Sequence, residues 1–311
     1  MRIINLVENT EGNAGCGVEH GLSIYIETAK HKLLMDTGAS GLLLENARKK
    51  GVDLTRVDTV VLSHGHFDHG GGIPAFAQLN PEARIYMQES AEEGHFSTRG
   101  ELHYIGLPEE VRDLPQVVRV NGDLRIDQEL SLFSGIPVPE PVPASNDDLM
   151  RKEGEAYVPD DFRHEQCLVI RQEGISILLS GCAHHGILNI LRHYRTLYGT
   201  DPDYVISGFH LMRRDGYSPE DIRTIVHTAM ELRRYRTVFY TGHCTGEKPF
   251  RIMKRLMGRQ LRYMHCGDEL QIPDAGQGHG KRGSYMKWHR FFAWATVVCF
   301  VMTMITGYRR K

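Results

Sequence analysis

One stretch constrains this chain more than any other: Val60-Val61-Leu62-Ser63-His64-Gly65-His66-Phe67-Asp68-His69-Gly70-Gly71-Gly72. The β-branched apolar run predicts a strand, and the strand stops at three histidines and an aspartate. Packing requires none of these four, whereas imidazole and carboxylate are the usual zinc donors. Alternation sends His64 and His66 to one side. Asp68 and the adjacent His69 diverge, so they suit a second, neighbouring metal. The glycines let the backbone turn sharply and allow a following helix to pack close. A lone loop histidine is usually solvated or hydrogen-bonded, but four donors within six residues point to a metal site.

The rest of the composition bounds the chemistry. The 311 residues suffice for one large domain or two small ones. A 41% apolar and 24% charged composition is ordinary for a globular protein. The net charge of -2 argues against a nucleic-acid partner. The six cysteines form no CxxC pair, so a disulfide framework is not expected and a reducing compartment is. Met1-Arg2-Ile3-Ile4-Asn5 enters a strand pattern at once, without signal-peptide architecture.

Along the chain, 2–7, 21–28 and 31–36 read as strands, the last two as a hairpin ending at Asp36-Thr37-Gly38. Residues 42–50 have helical spacing, with Gly51 placed to end the helix. The strand at 57–63 delivers the histidine cluster, followed by a short helix at 73–79 and a strand at 84–87. From about 90 to 165 the pattern weakens and prolines accumulate. This reads as an insertion with strands at 116–120 and 129–134, either covering the site or running as a solvated excursion. Regularity returns with strands at 166–172 and 174–180, ending in Gly181-Cys182-Ala183-His184-His185-Gly186. A helix at 187–198 and a strand at 204–207 ending in Gly208-Phe209-His210 follow. Next come a helix at 219–234 capped by Ser218 and a strand at 238–240 ending in Gly242-His243-Cys244-Thr245-Gly246. A last helix covers 248–257, before short strands near 260–264 and 269–272. The same order, strand then glycine then histidine or aspartate, recurs four times and predicts one metal-rich edge shared by two β-rich halves.

His-x-His-x-Asp-His after an apolar strand resembles the signature of the metallo-β-lactamase superfamily. That resemblance implies an α/β fold, an αββα sandwich with one or two metals at the sheet ends. Val7-Glu8-Asn9, Glu19-His20-Gly21-Leu22-Ser23, Asp36-Thr37-Gly38, Gly181-Cys182-Ala183-His184, Gly208-Phe209-His210-Leu211 and His243-Cys244-Thr245-Gly246 form an ordered set. Over 1–273 this set is similar to the subgroup named for 7,8-dihydropterin-6-yl-methyl-4-(β-D-ribofuranosyl)aminobenzene 5′-phosphate synthase. Its members are often described only as metal-dependent hydrolases. By resemblance, His64, His66 and His184 would hold a first metal, and Asp68, His69 and His243 a second. Asp36 would orient the histidine loop rather than bind metal. The chain departs from the wider superfamily at Gly181-Cys182, where many members carry Gly-Asp with a bridging aspartate. Cys182 is either a thiolate ligand or a small buried residue. His210 and His20 are further candidates for metal or substrate, and His164 and His185 spare ones.

The resemblance implies Zn²⁺, one or two ions, with Mn²⁺ or Fe²⁺ as alternatives. Such ions bring the pKa of bound water near 7, and Asp68 could orient that nucleophile or take its proton. The expected activity is hydrolysis of a small-molecule ester: a phosphoester, lactone or thioester. The alternatives are the pterin-pathway synthase reaction, a decarboxylating condensation of a phosphoribosyl donor with an aminobenzoate, and a non-catalytic metal-binding sensor. No Gly-rich phosphate loop supports the synthase independently, and His66 argues against a di-iron variant, where a glutamate is expected. After a linker at 274–287, residues 291–307 carry no charge between basic flanks. A helix of that length spans roughly 26 Å at about 1.5 Å per residue. Residues 288–308 are therefore expected to form a transmembrane helix anchoring a cytoplasmic domain to the membrane.

Overall fold

The structure, a computed structural model, describes residues 1–12 and 14–273. Two seven-stranded sheets form its centre. The first contains β1 (Arg2–Val7), β2 (Ser23–Glu27), β3 (Lys32–Met35), β4 (Thr59–Val61), β5 (Arg84–Gln88), β8 (Val117–Val120) and β18 (Glu269–Gln271). Its order is β18-β1-β2-β3-β4-β5-β8, antiparallel as far as β3 and parallel from β3 onward. The second contains β9 (Leu124–Arg125), β10 (Leu130–Phe133), β13 (Cys167–Gln172), β14 (Ile175–Leu179), β15 (Tyr204–Ile206), β16 (Val238–Thr241) and β17 (Leu261–Tyr263). Its order is β17-β16-β15-β14-β13-β10-β9, parallel through β14 and antiparallel beyond. Met1–Ile272 forms one compact unit.

Alternation along the strands builds the layers. Ile3, Leu33, Met35, Val61, Leu168, Ile170, Ile177 and Leu179 fill the core between the sheets. Their neighbours Ile4, Leu34, Val60 and Leu62 turn outward onto α1 (Leu42–Lys49) and α3 (Ile73–Leu79). Val169 and Leu178 turn outward under α4 (Ile187–Tyr198), α5 (Pro219–Leu232) and α6 (Glu247–Met257). Strands buried on both faces read as continuous apolar runs, as these do. The result is helices, sheet, sheet, helices, the expected αββα sandwich.

The 90–165 segment divides. Its β8 completes the first sheet, and its β9 and β10 complete the second. The remaining strands make a separate antiparallel sheet, β12-β11-β6-β7, from β6 (His95–Ser97), β7 (His103–Tyr104), β11 (Leu149–Glu153) and β12 (Ala156–Pro159).

The membrane expectation is corrected. Residues 288–308 lie outside the described residues, and among the described residues no helix is long and apolar enough to cross a membrane. The longest, α5, has 14 residues and is amphipathic, against the roughly 20 apolar residues a span requires. Membrane association through a C-terminal helix is therefore not supported.

Candidate metal centre

The motif-bearing loops follow the carboxyl ends of β1, β3, β4, β14, β15 and β16, and so converge on one edge of the sandwich. Parallel strands flanked by helices place their loops together in this way. At the end of β4 the chain turns through Ser63, and His66 precedes the short α2 (Phe67–Gly70) that carries Asp68 and His69. Asp36, fully buried and in a left-handed conformation at φ 63°, anchors this turn. Its carboxylate accepts the Ser63 amide at 2.6 Å, the Ser63 hydroxyl at 2.7 Å and His69 Nδ1 at 2.7 Å.

This network assigns the tautomers. With its proton on Asp36, the Ser63 hydroxyl accepts from His64 Nδ1 at 2.8 Å, which leaves a lone pair on His64 Nε2. His69 Nδ1 donates to Asp36, leaving its Nε2 free as well. His184 Nδ1 donates to Asn146 Oδ1 at 2.9 Å while the Asn146 amide returns to the His184 carbonyl. His243 Nδ1 donates to Asn9 Oδ1 at 2.8 Å. Each of these imidazoles therefore turns its Nε2 inward, unprotonated on His64 and His184, while on His243 it holds the proton shared with Asp68. His64 Nε2 and His184 Nε2 stand 3.3 Å apart, and His69 Nε2 and His243 Nε2 3.2 Å apart. Ring nitrogens that close repel unless a proton or a metal cation lies between them. About 3.3 Å is also the edge of a tetrahedron with bonds of about 2.0 Å, the Zn–N distance. The donor set fits a zinc-type ion on this ground.

The remaining donors complete two neighbouring groups. His66 brings a nitrogen within 4.8 Å of those of His64 and His184. Asp68 Oδ2 lies 3.3 Å from His243 Nε2 and 3.7 Å from His69 Nε2. Cys182 Sγ, 3.2 Å from His69 Nε2, also comes within 4.8 Å of donor atoms of His64 on one side and of His243 and Cys244 on another. It lies between the groups.

The electrostatics follow from burial. Burial and the neighbouring imidazoles hold His64 and His184 well below the usual histidine range, so both are neutral ligands-in-waiting. Burial alone would lower His243, but its hydrogen bond to the Asp68 carboxylate and nearby negative groups outweigh it and raise it to about 9. Asp68 is opposed by its own burial yet driven well below the carboxylate range by His69 and His243. A proton held by the Asp68–His243 pair is what a divalent cation would displace.

The other candidates fall in three places. His20 Nε2 lies 3.4 Å from Asp68 Oδ2, and burial beside His243 lowers it to about 4. His210 sits 4.3 Å ring to ring from His184, with both ring nitrogens buried and unpartnered and a left-handed backbone at φ 49°. His185 instead pairs with Glu165 at 2.6 Å, and His164 with Asp160 at 3.3 Å. Several orienting residues carry no role in the sequence reading: Asn9 and Glu8 on β1's loop, Asn146, Glu165, His95 and Asp160. Glu8 accepts the His243 amide, and Glu165 those of His184 and His185. Glu8 and Asn9 stand inside one of the ordered motifs; the others carry no sequence signal.

A cleft of about 200 Å³ opens above the donors. It is lined by His66, Asp68, Cys182, His210 and His243, by Ser97, His103 and Leu149 of β6, β7 and β11, by Arg99 from the connection between β6 and β7, and by Arg214. A hollow of about 240 Å³ beside α4 and α5 holds none of these donors.

Comparison with known proteins agrees with this fold. The family model "Metallo-beta-lactamase superfamily" matches residues 16–205. The chain is 27% identical over 290 residues to the 7,8-dihydropterin-6-methyl-4-(beta-D-ribofuranosyl)-aminobenzene-5'-phosphate synthase of Methanocaldococcus jannaschii, covering 88% of this chain and 97% of that one. It is similar to the crystal structure of Tm1679, described as a metal-dependent hydrolase of the beta-lactamase superfamily. That match has a TM-score of 0.75 and 30% identity, over 88% of this chain and 100% of the other. Zn²⁺-bound PqqB from Methylobacterium extorquens shares the fold, with a TM-score of 0.50 at 12% identity over 88% of this chain and all of the other.

Proposed function

The chain belongs to the metallo-β-lactamase superfamily, and on that premise we propose that it is a metal-dependent hydrolase of a small anionic ester: a phosphoester, lactone or thioester. The observation that carries this reading is the inward-facing set of Nε2 atoms, 3.2 and 3.3 Å apart in two adjoining pairs. His64, His66 and His184 would hold one ion, and Asp68, His69 and His243 a second. The chemistry such ions supply when bound is activation of water at neutral pH and neutralisation of charge on a developing oxyanion.

The protein's own groups do the rest. Asp68 Oδ2 reaches the cleft and is the one carboxylate among its lining residues, so it is placed to orient a nucleophile and accept its proton. His20, held neutral near pH 7, turns Nε2 toward Asp68 Oδ2 at 3.4 Å and is placed to orient that carboxylate. Arg99, braced by Asp148, and Arg214 bring positive charge to the cleft wall, which favours an anionic substrate.

The similarity to the synthase over 97% of its length favours a second reading, the decarboxylating condensation. One experiment separates the two. Zinc-loaded protein is offered chromogenic phosphodiesters, lactones and thioesters, and separately an aminobenzoate with a phosphoribosyl donor, with release of carbon dioxide followed. Hydrolysis that is lost with chelator and in His66→Ala supports the hydrolase. Carbon dioxide release without turnover of any ester would replace it with the synthase. Bound metal with neither activity would leave a metal-binding sensor.

A further inference from the structure

Three buried side chains adjoin His66 without belonging to either metal group: His95, Asp160 and His164. One nitrogen from each histidine and one Asp160 oxygen all lie within 4.8 Å of one another. Asp160 Oδ2 pairs with His95 Nδ1 at 2.9 Å and with His164 Nε2 at 3.3 Å. His164 Nδ1 accepts the amide of Gly65 at 2.9 Å, and Gly65 lies between His64 and His66. These bonds set every proton. His164 carries its hydrogen on Nε2 and donates it to Asp160, because its Nδ1 is an acceptor. His95 donates from Nδ1 to the same carboxylate, so its Nε2 bears a lone pair. That atom is buried and has no partner, and the same is true of His66 Nε2. The two rings stand 5.7 Å apart, edge to face at 76°. Buried polar atoms are rarely left unsatisfied, and two on facing rings call for one another or for a bridging water. His66 lines the cleft although its Nε2 is sealed, so Nδ1 is the nitrogen that would be offered to a metal.

We propose that His95 accepts the Nε2–H of His66, directly or through one buried water, and that Asp160 thereby fixes the tautomer and direction of His66 as a metal-binding residue. His95, Asp160 and His164 are positioning residues; His164 extends the same control to the Gly65 amide. The inference rests on the metal reading above. It gives the 90–165 segment a task inside the metal centre in addition to walling the cleft.

The test uses the full-length protein and metal affinity, read by competition with a chromogenic chelator, with no substrate needed. Asp160→Asn and His95→Phe are expected to weaken zinc binding by about 10–100-fold, the usual consequence of removing a partner of a ligating histidine. His95→Gln, whose amide oxygen can accept the same hydrogen, is expected to stay within a few-fold of wild type. Circular dichroism and thermal unfolding of each metal-free variant control for misfolding. In ¹⁵N-histidine spectra, a slowly exchanging His66 Nε2–H is expected in wild type and His95→Gln and absent in His95→Phe. Unchanged affinity in folded Asp160→Asn and His95→Phe would overturn the inference. So would a third equivalent of zinc that vanishes in Asp160→Asn, since the cluster would then be a ligand set of its own. Wild-type protein that binds no zinc would overturn the metal reading itself, a result distinct from both.

Discussion

Cys182 is the residue on which the chemistry of the centre turns. Its sulfur lies 3.2 Å from His69 Nε2 and within reach of donors on both sides, and burial beside Cys244 pushes the thiol well above its usual value while no metal is bound. A cation at this point would reverse that, because a coordinating thiol is deprotonated outright. We expect cobalt- or cadmium-loaded protein to show a thiolate-to-metal charge-transfer band that disappears in Cys182→Ser, together with weaker retention of one metal equivalent. A packed, uncoordinated cysteine would give no such band, and its replacement would leave metal content unchanged. The four donors at His64–His69 were legible because they are consecutive at a strand end. Cys182, His184 and His243 could be tied to them only through motif order, being contributed by loops more than a hundred residues away. His95 and Asp160 were not legible at all. Each is a single polar residue in a pattern-poor stretch, and its partners exist only once the chain has folded.

At the scale of elements, the histidine loop is held by backbone-to-backbone contact that only glycine permits. A Cβ on Gly72 would lie 2.3 Å from the Thr37 carbonyl oxygen and 2.6 Å from that of Ser40; one on Gly71 would lie 2.3 Å from the Ala39 carbonyl. Neither neighbour is a flexible side-chain tip, so the loop after β3 and the loop after β4 would be forced apart. Gly72→Ala is expected to destabilise by about 2–4 kcal/mol, the overpacking range and slightly beyond, and to weaken metal binding with it. Gly51→Ala, in open space with φ 65°, carries only a conformational penalty of about 1 kcal/mol and should spare the metal. Equal losses of stability and metal affinity in the two variants, measured by urea unfolding and chelator competition, would refute the contact argument. The close packing was foreseeable from three successive glycines. The separate sheet built by β6, β7, β11 and β12 was not, because its strands are short and largely half-buried or exposed and so lack the apolar alternation by which strands are read.

For the whole molecule, the two-layer pattern was legible because each central strand alternates between two cores, whereas the joining of sheets at the far end was not. There His31, in the turn between β2 and β3, spans both halves of the sandwich: Nδ1 meets Asp58 at 2.8 Å, just before β4, and Nε2 meets Asp127 at 3.0 Å, beside β10. Burial opposes its charge, but the hydrogen bonds to Asp127 and Asp58 win and raise its pKa above 6.5. A histidine whose folded value is raised binds its proton more tightly in the native state. Its contribution is therefore fully present below about pH 6.5 and is lost as pH rises through the higher folded value. Both carboxylates are partly exposed, so solvent screening holds the effect to about 1 kcal/mol or less. Other groups titrate in the same range, which makes the difference between wild type and His31→Gln the informative quantity. At low ionic strength that gap in unfolding free energy should be widest near pH 6 and shrink toward pH 8 and above, with added salt narrowing it throughout. A gap that stays constant across this range would mean that His31 joins the sheets by neutral hydrogen bonds alone, and that the charge it shares with the two aspartates contributes nothing to holding the sandwich closed at the end remote from the candidate metal centre.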